Sequence, residues 1–418
     1  MSEPRVDEGG HTPAPFGGTV WCIADIRFPM ERANGIQTVQ TAHALARSGA
    51  RVRLLVRYLD PRRAHRPPLS FYDLNSHPDL DLIAVAFAGP LGRLRFLSAS
   101  LVHLASGSPS DVVLTRDLVL ADAILHMPTR LRPRLVYEAH TIASVFADER
   151  RSLYDQASDS SDAKRRRLDR REARVCRGAD GLVMITEHLR AALAARHGTL
   201  PISAVVADGC HVPDSAPERP ASTSPHVVYI GQLYPWKGVD RLIEAIGLVP
   251  RCRLTVVGGL VGEPDRIRIQ ELVQRLNLGS RIRLEGFVAP AELERFRREA
   301  TLFVIPNLAG SQTSERYTSP LKLFEAMAAN RPIVASDLPS LREILSHEHN
   351  ALLVRPGDPR AIAEAVARLA SDLSLGERLS RQAFRDVQSF SWIARAERLR
   401  VLFGRLDPAV PPQRAQEA

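Results

Sequence analysis

Residues 307–337 read NLAGSQTSERYTSPLKLFEAMAANRPIVASD, a stretch that predicts a loop, a helix and a buried strand in succession. Its first part is polar and rich in serine and threonine, which is typical of a loop. Ser319-Pro320 then opens an apolar-periodic run, and serine is favoured as an N-cap while proline is favoured at the first helical position. The predicted helix runs to about Asn330, and residues 332–336 (PIVAS) form the predicted strand.

The start of this helix suits a phosphate group, because a helix N-terminus presents unpaired N–H groups and a partial positive charge. Lys322 adds a full positive charge in the first turn. Glu325 lies three residues further on, hence on the same helical face. This carboxylate could accept hydrogen bonds from ribose hydroxyls, or it could form an ordinary surface pair with Lys322. The pattern alone leaves both interpretations open.

Length and composition bound the class of protein. The 418 residues allow two or three domains, and no apolar run is long enough to span a membrane. The N-terminus is polar and does not resemble a signal peptide, so we expect a cytoplasmic protein, with a peripheral position at the inner face of the membrane as an alternative. The cysteines at 22, 176, 210 and 252 form no Cys-x-x-Cys pair, which favours buried thiols over zinc or disulfides.

The formal charge of +9 fits an anionic donor, a lipid-phosphate acceptor or an anionic membrane surface. Nucleic acid is not expected as a partner, because the sequence carries no signature of a nucleic-acid-binding module. Residues 164–177 (KRRRLDRREARVCR) predict a strongly basic helix. We interpret it as a solvated helix face, with contact to anionic lipid head groups as the alternative.

Strands and helices alternate through the first half of the chain. Residues 19–26 (TVWCIADI) predict a strand, Asn34-Gly35 a break, the following residues a helix to Gly49, and residues 51–57 a second strand, which together make a βαβ unit. Gly35 would let the backbone approach a ligand, or it is simple turn chemistry. His140 ends the predicted strand 134–141, where α/β sheets bind ligands, although a histidine there can also be satisfied by a neighbouring carbonyl. Residues 144–163 predict an irregular loop.

The alternation stops at residues 214–225, which are rich in proline and serine, and restarts at residue 226. The predicted fold class is therefore α/β, with two doubly wound Rossmann-like domains facing each other across a cleft. We predict five segments: a disordered N-terminus (1–18), a first domain (19–213), a linker (214–225), a second domain (226–390), and a helix that crosses back to the first domain followed by a loose tail (391–418).

Several motifs resemble family 4 of the retaining glycosyltransferases, which have the GT-B fold. In the second half these are GQLYPWKGVD (231–240), Gly-Phe at 286–287, SPLKLFEAMAANRPIVASDLPSLREIL (319–345) and NALLVRPGD (350–358). In the first half NGIQTVQTAHALARSGARV (34–52) and VYEAHT (136–141) resemble the same family. The match covers roughly residues 19–395. It implies that the first domain binds the acceptor and the second binds a nucleotide-diphosphate sugar.

The resemblance also implies roles for individual residues. His140, Lys237 and Glu325 are the predicted catalytic residues: His140 near the sugar at the reaction centre, Lys237 on the diphosphate and Glu325 on the ribose. Further contacts to the nucleotide sugar are implied for the loop in the first domain, the diphosphate loop, the base-binding turn and the helix start, which comprise Gly35, Ile36, Gln232, Phe287, Val288, Ser319, Pro320, Leu321 and Lys322. No metal site is expected, and no cofactor apart from the donor substrate.

Two positions depart from the family pattern. Gln232 stands where the family often has an arginine five residues before the lysine, which leaves less positive charge on the diphosphate. Tyr317 stands where the family often has a second glutamate, which contacts hydroxyls of the donor sugar. The resemblance therefore does not specify the donor sugar, and Glu315 is an alternative residue for this contact.

The resemblance implies a metal-independent transfer, with retention, of a sugar to a hydroxyl of a glycan, a lipid or a small molecule. Two alternatives remain from the sequence. One is a sugar-nucleotide epimerase of the same fold, although we find no residues placed for proton abstraction. The other is a non-catalytic protein that binds nucleotide sugars. A dehydrogenase is not expected, because no G-x-G-x-x-G follows a strand.

Overall fold

A computed structural model describes residues 16–59, 68–85, 91–154, 162–220 and 224–406. Two α/β domains, each built on a wholly parallel sheet, face each other across a cleft, which confirms the predicted fold class. The inner strands of both sheets are mostly apolar and buried under helices on both faces, as parallel sheets require, whereas the two edge strands of the first sheet are largely half-buried.

The first sheet has seven strands in the order β3-β2-β1-β4-β5-β6-β7. Its strands are β1 (Thr19–Phe28), β2 (Arg51–Leu59), β3 (Leu80–Ala84), β4 (Val112–Thr115), β5 (Arg134–Ala139), β6 (Gly181–Met184) and β7 (Ile202–Val205). The helices that connect them are α1 (Ala33–Arg47), α2 (Gly92–Ala105), α3 (Leu118–Leu125), α4 (Ala143–Tyr154), α5 (Asp162–Gly178) and α6 (Glu187–His197), with a 3-10 helix at Pro68–Tyr72.

The second sheet comprises β8 (His226–Ile230), β9 (Arg253–Val257), β10 (Ile282–Gly286), β11 (Leu302–Ile305), β12 (Ile333–Ser336) and β13 (Leu352–Val354). Its strand order is β10-β9-β8-β11-β12-β13. Its helices are α7 (Val239–Leu248), α8 (Pro264–Arg275), α9 (Glu294–Glu299), α10 (Gln312–Glu315), α11 (Leu321–Ala328), α12 (Pro339–Arg342), α13 (Pro359–Ser371) and α14 (Leu373–Asp386), with 3-10 turns at Pro235–Lys237, Pro290–Glu292 and Val387–Phe390.

The strand order reverses beside the first strand of each sheet, between β1 and β4 and between β8 and β11. Ligands bind beyond the carboxyl ends of the strands at such switch points. The segments that follow β1 and β4 in the first domain, and β8 and β11 in the second, are therefore the ones that the fold places at a binding site. The segment after β5 lies next to them, because β5 pairs with β4.

The last helix, α15 (Trp392–Arg405), belongs to the first domain by its packing. Ser391 caps it, because its hydroxyl accepts a hydrogen bond from the N–H of Ala394 (3.1 Å). The buried face of α15 enters the first domain's core through residues at helical spacing: Trp392, Ala396, Leu399, Leu402 and Phe403. Arg395 lies on this same buried face and is 1% exposed.

Two local predictions need correction here. Helix α1 begins at Ala33, so Asn34-Gly35 lies in its first turn and does not break the chain before it. Position 35 requires glycine because a side chain would clash: a Cβ there would lie 2.6 Å from the Cβ of Met30. The loop predicted for 144–163 is wrong over 144–154, because α4 forms there and packs against α5, and it is wrong at 162–163, which begin α5. Residues 155–161 lie outside the described part.

The predicted disordered N-terminus lies outside the described residues up to residue 15. It is wrong at Phe16, whose buried ring packs against Phe403 with the ring centroids 5.7 Å apart. Part of the predicted linker (221–223) and of the predicted tail (407–418) also lies outside the described residues. The four cysteines are buried and free, as predicted. Within the described part, no helix combines the length and apolar character needed to cross a bilayer.

Candidate active site

The loop after β8 places Lys237 at the cleft. Gly238 has φ 68°, and a Cβ there would lie 1.9 Å from the carbonyl oxygen of Pro306, so only glycine lets this loop close onto the end of β11. The N–H of Leu308 donates to the carbonyl of Trp236 (2.9 Å), which ties the loop to the stretch after β11. Lys237 is thereby held beside the start of α11.

Lys322 lies in the first turn of α11 and points at Tyr229. Its ammonium is 4.4 Å from the centroid of the tyrosine ring and 3.4 Å from the hydroxyl oxygen. Burial lowers the pKa of Lys322 well below its ordinary value, and the charge of Lys237 lowers it further. Burial also lowers the pKa of Lys237, to about 8. No acidic side chain of the described residues counteracts either shift. Glu325 lines the same small cavity as Lys322, but its carboxylate is paired with Arg297.

The helix start differs in detail from the prediction. Ser319 is not the N-cap, because its hydroxyl accepts a hydrogen bond from the N–H of Asp208 (2.9 Å), at the end of the first domain. Pro320 occupies the N-cap position and offers no capping side chain. The N–H of Leu323 donates to the carbonyl of Pro320 (2.8 Å). The two preceding amides, of Leu321 and Lys322, have no intrahelical acceptor and remain available to an anion.

Glu325 does not pair with Lys322. Its Oε1 lies 3.1 Å from Nη2 of Arg297, and its side chain is 26% exposed. The guanidinium therefore fixes the carboxylate one turn beyond the helix start while part of it still faces solvent. Arg297 had not been predicted, and its position after an irregular 3-10 turn gave no sequence signal.

The predicted base-binding turn lies between the domains. Gly286 has φ 79°, and the ring of Phe287 stacks on Phe71 of the first domain with the centroids 6.4 Å and the planes 13° apart. Val288 packs against the core of the second domain. The side chain of Phe287 thus contributes to a contact between domains, and the role of the backbone here remains a prediction.

The two departures from the family pattern have structural counterparts. The carbonyl of Gln232 accepts a hydrogen bond from the Tyr229 hydroxyl (2.7 Å). Tyr317 is buried and packs into the apolar core of the first domain. The carboxylate of Glu315 accepts a hydrogen bond from the N–H of Gly310 (3.1 Å) within its own loop. Glu315 is therefore engaged locally, and Tyr317 serves packing between the domains.

On the opposite wall of the cleft, His140 is the partly exposed member of a buried polar cluster. Its Nε2 lies 2.6 Å from Oε1 of Glu138, and its side chain is 14% exposed. The same carboxylate oxygen accepts hydrogen bonds from Gln37 (2.7 Å) and from Arg395 of α15 (2.7 Å). Arg116, directly after β4, donates to the side-chain oxygen of Gln37 (3.0 Å).

Charge in this cluster is nearly balanced. Burial alone would raise the pKa of Glu138, but Arg395, His140 and Arg116 together lower it far below its ordinary value, so the carboxylate is ionised. Burial and the charge of Arg116 lower the pKa of His140, so its imidazole is neutral at neutral pH. Burial raises the pKa of the nearby Asp208.

Glu138, His140 and Asp208 bring three potential ligand atoms within 4.8 Å of one another. Arg395 donates to Glu138 and lies 4.0 Å from an oxygen of Asp208. A divalent cation would have to share this space with a buried guanidinium, so these residues do not fit a metal ion.

Gly35 and Ile36 lie at the first-domain rim, and both of their N–H groups donate to the carbonyl of Arg32 (2.9 and 3.2 Å). The predicted contact of this turn with a phosphate therefore cannot use these two amides while the turn keeps this conformation.

The two walls also contact each other directly. The carboxylate of Glu343, from the second domain, accepts hydrogen bonds from the N–H groups of Glu187 (2.9 Å) and His188 (3.1 Å) at the start of α6. The hydroxyls of Thr141 and Thr313 lie 3.2 Å apart, beside His140. These contacts hold the domains close together around the cleft.

Sequence reasoning missed most of the polar cluster. Glu138 could have been found, because residues two apart on a strand share a face and His140 was already a candidate. Arg116 follows a strand at its carboxyl end, which is also a usable signal. Arg395 interrupts an otherwise apolar helical stripe.

Two family models match the chain, and they fall on the two domains. Residues 34–207 match the glycosyl transferase 4-like domain, and residues 224–372 match glycosyl transferases group 1. Among curated relatives, the D-inositol 3-phosphate glycosyltransferase of Corynebacterium glutamicum is 28% identical over 292 residues, which is 64% of this chain and 66% of that protein.

Solved structures share the fold. A sucrose-phosphate synthase from Thermosynechococcus elongatus superposes with a TM-score of 0.72 at 23% identity, covering 91% of this chain and 97% of the other. HepE from Anabaena, in complex with UDP-glucose, superposes with a TM-score of 0.69 at 16% identity, covering 91% and 98%. The structural likenesses show the GT-B fold, and the two family matches show that the chain is a glycosyltransferase with a glycosyl transferase 4-like first domain and a group 1 second domain.

Proposed function

We propose that this glycosyltransferase moves a sugar from a nucleotide-diphosphate sugar to an acceptor hydroxyl, with retention at the anomeric carbon and without a divalent metal. One observation carries the proposal: Lys237 and Lys322 share a partly buried site at the start of α11, and no acidic side chain of the described residues offsets them. The charge of Lys237 lowers the pKa of Lys322, so a bound polyanion would stabilise both ammonium groups, and a diphosphate has the charge and the length to reach both.

The same site would assist departure of the leaving group. Breaking the bond between the sugar and the diphosphate builds negative charge on the diphosphate oxygens. Lys237, Lys322 and the free amides at the start of α11 would stabilise that charge, which is the role that a divalent cation has in other transferases. Because these groups are in place before the reaction, little reorganisation accompanies the charge transfer.

Glu325 would hold the ribose. It lies one turn beyond Lys322 on the same helix, and Arg297 fixes one of its oxygens at 3.1 Å. The other oxygen can accept hydrogen bonds from the two ribose hydroxyls. The turn at Phe287 and Val288 would take the base, and its position between the domains would couple nucleotide binding to their closure.

On the other wall, His140 would position a hydroxyl of the donor sugar or of the acceptor. Glu138 is an unsuitable nucleophile, since one of its oxygens already accepts hydrogen bonds from Gln37 and Arg395. This distinguishes the site from the paired carboxylates of retaining glycosidases. We infer that the departing diphosphate itself takes the proton of the incoming hydroxyl, on the same face of the sugar, which gives retention.

Two likenesses bear on the substrates. HepE was solved with UDP-glucose, and the C. glutamicum relative is named for D-inositol 3-phosphate. UDP-glucose is therefore the first donor to test, and inositol phosphate the first acceptor.

We also propose a peripheral contact with anionic membranes through α5. Several of its basic side chains are exposed, among them Lys164, Arg167 and Arg170. Arg171 and Arg174 are ion-paired with Asp122, so their charges are already engaged within the protein. At low salt the wild-type protein should sediment with phosphatidylglycerol vesicles, whereas a K164Q/R167Q/R170Q variant should stay in the supernatant. Equal sedimentation of both proteins would contradict this contact.

The test of the donor site is a thermal-shift screen against a panel of nucleotide-diphosphate sugars, since a ligand that binds only the folded state raises the melting temperature. Lys237→Met and Lys322→Met should each reduce the shift given by the best donor. Lys164→Met is the matched control, because it removes the remaining lysine of the chain from an exposed position on α5. Unchanged shifts in both active-site variants would overturn the proposal.

Two further measurements test the chemistry. The product formed with an acceptor should have the anomeric configuration of the donor by NMR, and turnover should survive a chelator. An inverted or unsaturated free sugar, released without an acceptor, would instead support the epimerase. Binding without any turnover, over a panel of acceptors, would support the non-catalytic alternative.

A further inference from the structure

Arg395 is a fully buried cation that the proposed transfer does not use. It lies on α15, which follows the whole second domain in the chain, yet its side chain ends in the first domain beneath His140. It donates to the hydroxyl of Thr41 (3.1 Å), to the carbonyls of Val206 and Ala207 (both 2.8 Å), and to Oε1 of Glu138 (2.7 Å).

These contacts determine the state of Glu138. Three of the bonds fix the guanidinium against Thr41 and the backbone after β7, so its position does not depend on the carboxylate. The fourth places a permanent positive charge on Oε1 of Glu138. An ionised carboxylate can only accept hydrogen bonds, and His140 Nε2 lies 2.6 Å from this same oxygen. His140 must therefore carry its proton on Nε2.

The tautomer of His140 determines whether the imidazole presents a hydrogen-bond donor or an acceptor to a ligand in the cleft. With the proton on Nε2, Nδ1 holds a lone pair, and no residue of the described chain bonds to it. The imidazole is neutral, so Nδ1 is a hydrogen-bond acceptor for a hydroxyl that enters the cleft. If Glu138 were protonated it would donate to Nε2, the proton of His140 would move to Nδ1, and this acceptor would be lost.

We propose that Arg395 is a positioning residue for the transfer: through Glu138 it holds His140 as the neutral Nε2–H tautomer, with Nδ1 presented to a substrate hydroxyl. This inference rests on the proposed function for its catalytic consequence, although the tautomer itself can be observed without turnover. On this proposal helix α15 contributes to the active site in addition to packing against the first domain.

The pH dependence of the pair gives a readout that a purely structural role would not move. The charged and titratable groups around His140 and Glu138 are Cys22, Arg116, Asp208 and Arg395. Loss of the positive charge of Arg395 makes it easier for the Glu138–His140 pair to take up a proton. Activity is lost when that proton is bound, so the acidic limb of the pH–rate profile must move to higher pH.

The experiment compares Arg395→Gln, Arg395→Lys and wild type. We expect the acidic limb of kcat/KM to shift upward by at least about one pH unit in Arg395→Gln, the equivalent of one hydrogen bond to a charged group. Arg395→Lys keeps the charge and should keep the limb in place while kcat falls. Arg400→Gln is the matched control, because Arg400 also ties α15 to the first domain, through the carbonyl of Ser48, without touching Glu138.

A parallel measurement uses 15N-labelled histidine and NMR, with His140→Asn to assign the resonances. In wild type we expect the Nε2–H tautomer of His140 between pH 6.5 and 8, and in Arg395→Gln a shift toward the protonated or Nδ1–H form. An Nδ1–H tautomer in wild type overturns the proposal even if no variant folds. An acidic limb that stays in place in an active Arg395→Gln overturns it too. If wild type neither binds nor turns over nucleotide sugars, the proposed function fails, while the NMR result still decides on Arg395.

Discussion

Lys237 should make donor binding depend on pH in a predictable direction. In the free protein burial lowers the pKa of Lys237 to about 8, from an ordinary value of 10.5. A bound diphosphate favours the charged ammonium and returns the pKa to at least the ordinary value. Above pH 8 the free lysine has lost its proton and must take one up on binding, so affinity falls as pH rises.

The size of the effect follows from those two values. Between pH 7 and pH 9 a group with a pKa of about 8 in the free protein and 10.5 in the complex weakens binding by about tenfold. The diphosphate of a nucleotide sugar has no proton to lose in this range, and titration of a uracil base affects wild type and a Lys237 variant alike. Lys322, whose pKa is also lowered, adds to the total fall.

Isothermal titration with UDP-glucose, or with the donor found in the thermal-shift screen, measures this dependence. Lys237→Arg isolates the contribution of this position, because a guanidinium stays charged at both pH values. The factor by which the affinity of Lys237→Arg falls between pH 7 and pH 9 should be about tenfold smaller than the factor for wild type. Lys164→Arg should behave as wild type. If wild type and Lys237→Arg lose affinity by the same factor, Lys237 does not contact the diphosphate.

Three further predictions concern the same cleft. Glu325→Ala should weaken donor binding by about 10- to 150-fold, the value of a hydrogen bond to a charged group, and so remove the thermal shift; an undiminished shift would take Glu325 off the ribose. Glu343→Ala should separate the domains and raise the radius of gyration of the free protein in small-angle scattering, whereas identical curves would show that its contact does not hold them. Gly238→Ala should lower the free energy of unfolding in urea by more than Gly198→Ala, since both have positive φ but only the first would drive a Cβ to 1.9 Å from Pro306. Equal losses of unfolding free energy in the two variants would show that the loop after β8 accommodates the new Cβ without strain.

The sequence predicted those features that depend on nearby residues. Alternating apolar strands and helices gave the two sheets, and the left-handed Asn330 (φ 54°) ends α11 near the predicted residue. The prediction of Ser319 as the N-cap failed because its hydroxyl bonds to Asp208, more than a hundred residues away in the chain. A capping rule considers only the local backbone. Here the hydroxyl oxygen of Ser319, which would cap the helix, instead accepts a hydrogen bond from the other domain.

The site could be predicted only where a motif or a strand end marked it. Lys322 and Glu325 were chosen from helical spacing, but that spacing also suggested that they pair, whereas Glu325 pairs with Arg297. Arg395 meets Glu138 across 257 residues of chain, and nothing local to either residue specifies the meeting. Long-range ion pairs of this kind are set by the packing of whole elements, which periodicity does not encode.

The placement of α15 has a consequence for how the protein is made. The chain leaves the first domain after β7, builds the second domain, and only then supplies Trp392, Leu399 and Phe403 to the core that it started with. During synthesis the first domain must therefore wait, on the order of ten seconds or more, with an apolar groove along α1 unfilled. A fragment that ends before α15 would keep that groove open, so we expect such a fragment to aggregate or recruit chaperones, and the supply of a separate α15 peptide to rescue it.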